Sequence, residues 1–260
     1  MTLSPVTITR LEKAATDNGF DLDLGRTADW LLFGSSQTSM QIWLTAIEES
    51  LFVIALSRGD VLDALEAPGL IFTNPLPIGA AGARSVGEIA ALHRLLRRAF
   101  QLSRTLPDEL LHIFEGETAN LPRSTEAERL VVQRVGQDIF RRGLLEYWDG
   151  RCAITGLAVP DLLRASHIKP WAECERDAER LDVFNGLLLG PHLDAAFDAG
   201  FITIAEDGTV LVSDALPAGA RTILGLDQPV KVRGLHRTHE RYLPWHRTKV
   251  FRQRSERAGV

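Results

Sequence analysis

Gly150-Arg-Cys-Ala-Ile-Thr-Gly156, Ala165-Ser-His-Ile-Lys-Pro-Trp171, Asn185-Gly-Leu-Leu-Leu189 and His192-Leu-Asp-Ala-Ala-Phe-Asp-Ala-Gly200 follow one another in the second half of the chain. Cys152–Thr155 and the run around Leu162–Ile168 read as strands. A polar loop over 172–182 and the turn dipeptide Asn185-Gly186 lead to the apolar run Leu187–Leu189. Pro191 suits the first position of a short helix and Gly200 its end. On that helix Asp194 and Asp198 stand at i,i+4 and share a face, while His192 lies about 200° round from Asp194. Leu193, Ala196 and Phe197 form an apolar stripe between them. Phe201–Ala205 and Thr209–Ser213 flank Asp207-Gly208, a hairpin signal.

Upstream, Thr125 with Glu128 is a capping box, and Leu130, Val131, Val135, Ile139 and Phe140 follow at helical spacing. The spacing predicts a helix to about Trp148, ended by Asp149-Gly150. Residues 106–123, bounded by Pro107 and Pro122, read as a linker. The first 105 residues read as a small α/β or α+β module. It has a helix over 5–20, strands at Trp30–Gly34, Met40–Ile47 and Leu51–Ser57, a Pro- and Gly-rich loop over 74–82, and a helix from Ser85 to Ser103.

Composition excludes other classes. No stretch approaches the roughly 20 apolar residues of a membrane helix, and the N-terminus lacks the pattern of a secretory signal, so a cytoplasmic protein with no membrane partner is expected. Two cysteines, Cys152 and Cys174, form no CxxC pair, so no structural zinc is expected. Net charge is −5, but residues 221–260 hold ten Lys or Arg against three acids. A basic segment on an acidic chain suits either a phosphate-binding surface or a solvated tail.

Together with Arg134-Val-Gly-Gln137 and Phe140-Arg141, the four quoted stretches resemble the HNH endonucleases, specifically the bacterial branch associated with restriction and defence. The resemblance spans residues 134–204. It implies an α+β chain in which the N-terminal α/β module (1–105) and linker (106–123) precede a ββα-metal nuclease domain (124–260). It implies hydrolysis of DNA phosphodiesters with one divalent ion, Mg²⁺ or alternatively Mn²⁺. His167 then takes the place of the general base, a role an imidazole suits because its ordinary pKa, about 6.5, leaves neutral side chain at physiological pH. Asn185 takes the place of the family Asn, holding the imidazole tautomer and the adjoining loop.

Many relatives carry a second His at the place of Asp194. A carboxylate there suits a hard ion, so Asp194 is the expected ligand, with His192 the alternative and Ser166, just before the base, a weak third. Arg134, Gln137 and Asp198 are possible supporting residues. Lys169, Arg233, Arg237, Arg241, Arg247 and Lys249, with Arg252 and Arg254, are expected along the DNA. A homodimer would place two nicking sites on opposite strands. Two other classes remain open: a non-cutting DNA-binding sensor with a degenerate HNH fold, and an HNH nuclease directed at RNA.

Overall fold

The computed structural model describes residues 3–27, 29–48, 50–65, 69–72 and 75–252, so Arg254 lies outside it. The chain divides into two units, at Leu106/Pro107.

In the first unit the Ser4 side chain accepts the Thr7 N–H at 3.1 Å and caps helix α1 (Pro5–Asp17), which buries Leu11, Ala14 and Ala15. Strands β1 (Leu22–Thr27), β2 (Trp30–Gly34), β3 (Ile42–Glu48) and β4 (Leu51–Leu56) follow, then α2 (Gly59–Ala64), β5 (Leu70–Ile71), β6 (Gly82–Val86) and α3 (Ile89–Thr105). The strands form one sheet in the order β1-β2-β3-β4-β6-β5, antiparallel at every pairing among the described residues. The expected α/β module is therefore α+β in the strict sense. Leu92, Leu95, Leu96, Ala99 and Leu102 give α3 a buried stripe. Trp43, Val53, Ala55 and Ala83 form a separate buried cluster with Trp30, Leu32 and Phe72 packed against it. Ser85, expected to open a helix, pairs instead with Val53 of β4, and the helix starts at Ile89. A long-range partner strand overrides local preference there.

The second unit begins with α4 (Pro107–Thr118). The expected linker is thus mostly helix. Leu110, Phe114 and Thr118 recur at i,i+4 and are buried, a stripe that the mixed, proline-bounded text conceals. Helix α5 (Glu126–Tyr147) carries the reciprocal Thr125–Glu128 capping box and packs on α4. Gly143 permits this approach, because a Cβ there would lie 2.5 Å from a Leu110 methyl. Cys152–Thr155 is a turn and not a strand. Gly156 N–H bonds the Cys152 carbonyl at 2.9 Å, and Ala153 N–H hangs the turn on the Leu188 carbonyl at 2.8 Å.

The ββα unit comes next. Strand β7 (Arg164–His167) is followed by the single-turn helix α6 (Asp177–Arg180), strand β8 (Gly186–Leu189) and helix α7 (Pro191–Asp198). β7 and β8 pair antiparallel, Ser166 opposite Leu187 and His167 opposite Gly186, and α7 packs against β7. The hairpin β9 (Ile202–Ile204) and β10 (Val210–Val212), then α8 (Ala218–Ile223) and α9 (Leu243–Lys249), complete the unit. The basic C-terminal segment is part of this packing. His246 of α9 stacks on Phe197 of α7 with ring centroids 3.7 Å apart, receives the Thr203 hydroxyl and donates to the Phe197 carbonyl. Among the described residues no helix is long and apolar enough to cross a membrane.

Candidate active site

His167 ends β7 and rests on α5. Its ring stacks on Phe140 at 3.8 Å and 15°, and Trp171 meets it edge-on at 5.8 Å. Nε2 lies 2.9 Å from the Arg180 carbonyl oxygen. A carbonyl only accepts, so Nε2 carries the hydrogen and Nδ1 keeps the lone pair. Burial pushes the imidazole pKa down to about 4, opposed only in part by the Arg180 bond. The ring is therefore neutral at pH 7, in one tautomer, with Nδ1 the nitrogen left to accept a proton.

The carbonyl that sets this tautomer is itself pinned. The Arg180 guanidinium donates to Asp177 at 2.9 Å and to the carbonyls of Trp171 and Cys174. Asn185 is wholly buried. Its Oδ1 accepts the Lys169 N–H at 2.8 Å, while Nδ2 lies 3.1 Å from the carbonyls of Lys169 and Glu179 and 3.4 Å from Cys174 Sγ. Asn185 thus joins both ends of the 169–180 loop. It does not line the cavity at His167, so its hold on the imidazole passes through the loop and the Arg180 carbonyl.

A cavity of about 380 Å³ is lined by Arg164, Ser166, His167, Trp171, Asp194, Asp198 and His246, among others. The i,i+4 spacing on α7 brings both carboxylates into it. Partial burial, then the charge of Asp194, raises the Asp198 carboxyl above its ordinary range, and the Ser166 hydroxyl, 3.4 Å from Asp198 Oδ1, opposes that rise. Such a like-charge pair is a donor set for a hard divalent cation. Among the described residues no group of three His, Cys, Asp or Glu could hold a metal. One or two carboxylates with water and substrate phosphate in the remaining positions is, however, the usual way Mg²⁺ is held. His192 lies exposed on α7 and is not among the residues that line this cavity.

The expected phosphate contacts divide in the same way. Lys169 is tied to Glu179 at 3.1 Å. Arg247 clasps Glu240 at 2.6 and 3.2 Å and donates to the Ile204 carbonyl. Both have structural partners and are not open cations. Arg233, Arg237, Arg241, Lys249 and Arg252 are exposed, and so are Arg134 and Gln137 on α5. Arg141 donates to the carbonyls of Leu163 at 2.7 Å and Pro160 at 3.0 Å, fixing the approach to β7. Gly136 seats Trp171, whose ring a Cβ at that position would overlap. The Gly136…Phe140-Arg141 series on α5 therefore builds the floor of the site. Helical periodicity marks Phe140 only as core, and no sequence motif points to Arg164. One available signal was Arg164 standing two residues before Ser166 on the same strand.

Residues 152–205 match a family model described as HNH endonuclease. A comparison with curated proteins found no match. With the β7-β8-α7 geometry, the match shows that the second unit contains an HNH domain, and it supports a nuclease-type function acting on nucleic acid.

The buried imidazoles make a pH prediction. His167 and His246 both titrate near 4 because burial disfavours their charged forms, against about 6.5 in an unfolded chain. Between those values the unfolded state binds more protons. Stability is thus full above pH 6.5 and is lost as pH falls toward 4, by at most about 1.4 kcal/mol per pH unit for each group. The urea midpoint is expected to drop between pH 6.5 and 4.5, and to drop less steeply in His167→Phe. A midpoint flat across that range would contradict the burial of these neutral rings.

Proposed function

We propose that the protein is a metal-dependent HNH endonuclease that hydrolyses DNA phosphodiesters and serves in restriction or anti-phage defence. One observation carries the chemistry: a neutral histidine of defined tautomer shares a cavity with a carboxylate pair. Asp194 and Asp198, with Ser166 beside them, would hold the divalent ion, Mg²⁺ or Mn²⁺, which when bound neutralises phosphate and leaving-oxygen charge. His167 accepts at Nδ1 a proton from the attacking water. The water oxygen bonds to phosphorus, the P–O3′ bond breaks, and the departing oxygen takes a solvent proton, leaving 5′-phosphate and 3′-hydroxyl ends. Phe140 and the Arg180 carbonyl keep the ring in place so that no reorientation precedes proton transfer. The restriction or defence role follows from the family branch, in which the N-terminal module would recognise DNA or a signal, or join two copies into a homodimer that cuts both strands.

Supercoiled plasmid, run beside modified and unmodified phage DNA and RNA, tests this reading. Nicking or linearisation with Mg²⁺ or Mn²⁺ and none with EDTA is the expected result. DNA binding with no cutting under any metal would replace the nuclease by a sensor, and a preference for RNA would change the substrate.

A further inference from the structure

Among the described residues, Arg164, the first residue of β7, is the one arginine lining the cavity that holds His167, Asp194 and Asp198. Its side chain is exposed, and among the described residues it forms no ion pair, although two carboxylates line the same cavity. Other basic side chains of the unit are engaged, Lys169 by Glu179, Arg141 by two carbonyls and Arg247 by Glu240, and the exposed Lys249 and Arg252 are not in the cavity lining. The backbone beneath it is firm. Arg164 pairs with Leu189 of β8, and the preceding Leu163 carbonyl receives Arg141 at 2.7 Å.

A phosphodiester entering this cavity carries a negative charge toward two carboxylates, and hydrolysis adds negative charge at phosphorus. A fixed cation on the cavity wall offsets both. A guanidinium has the added merit of two parallel N–H donors that match two phosphate oxygens. We propose that Arg164 binds the non-bridging oxygens of the scissile phosphodiester and stabilises the charge they gain as water attacks. This rests on the nuclease reading and adds a substrate-contact residue to it.

Full-length wild type, Arg164→Gln and Arg164→Lys are to be compared in two assays. The first is steady-state cleavage of a duplex oligonucleotide with Mg²⁺ or Mn²⁺. The second is anisotropy of the same duplex in EDTA across a salt series. In Arg164→Gln kcat is expected to fall by about 10²–10³-fold, the usual cost of removing one donor aimed at developing charge. The slope of log K against log salt is expected to lose about 0.9, the share of one phosphate contact on B-DNA. Lys should restore the slope and only part of kcat, because it keeps the charge and loses the fork. Unchanged kcat in Arg164→Gln overturns the assignment while the nuclease reading stands, whether or not affinity falls. A lost kcat with an unchanged salt slope also overturns it, since the residue then touches no phosphate. Wild type that cuts nothing overturns the nuclease reading itself, and this inference with it.

Discussion

His167→Ala is expected to slow DNA cleavage by about 10²–10⁴-fold, the range for loss of a general base, which corresponds to roughly 3–5 kcal/mol in the barrier. Affinity for DNA in EDTA is expected to stay at the wild-type value, because His167 is a neutral ring and contributes no cation to phosphate binding. The imidazole is already deprotonated at pH 7 and held in one tautomer by the Arg180 carbonyl. The rate should therefore show no histidine limb between pH 6 and 8, and should fall only as pH approaches 4. The comparison is single-turnover cleavage by the two proteins, with circular dichroism to verify folding. Cleavage within tenfold of wild type would remove His167 from the mechanism.

Asn185→Ala is expected to be the most destabilising single change in the site. It leaves the Lys169 N–H and the Glu179 carbonyl without their side-chain partner, and the Lys169 carbonyl with the Cys174 thiol alone, around a fully buried position. Each buried polar group left unsatisfied costs about 1–3 kcal/mol, so a total near 3 kcal/mol is a conservative expectation. In a unit of this size that is roughly 6–12 °C in Tm. Cleavage should also fall at temperatures where the variant remains folded, because the loop that positions the Arg180 carbonyl loosens and the His167 tautomer is no longer fixed. Thermal unfolding and single-turnover rates together test this. A Tm within about 2 °C of wild type, too small a shift for the bonds lost, would contradict the loop-joining role.

The two variants separate functions that look alike on paper. The resemblance gives His167 the place of the base and Asn185 the hold on its tautomer and the adjoining loop, and only His167 lines the cavity. Asn185 is absent from that lining and ties the two ends of the 169–180 loop. The same separation holds for the basic residues. Lys169 and Arg247 are cations by composition, but their partners Glu179 and Glu240 come from turns and helices the sequence does not visibly pair with them. Arg164, without such a partner among the described residues, is the cation the cavity presents.

Strand β7 and the helices α5 and α7 were legible because their signals are local, whereas β8 reads only as an apolar run and Cys152–Thr155, which reads as a strand, is a turn. Pro191 and Gly200 bound α7, the Thr125–Glu128 box opens α5, and turn residues separate β7 from β8. The i,i+4 carboxylates followed from helix geometry alone, as did the opposite placement of His192. Where the signals were not local the reading failed. The stripe on α4 shows its meaning only against α5, through the gap at Gly143. Ser85 becomes strand because β4 lies alongside it. The tautomer and basicity of His167 depend on Phe140 from one helix and the Arg180 carbonyl from a loop. The resemblance chose the candidate base, and helix spacing sorted the candidate ligands. Tertiary contact alone decided their protonation, their exposure and which charges stay free, because burial and pairing are properties of neighbours brought in from elsewhere in the chain.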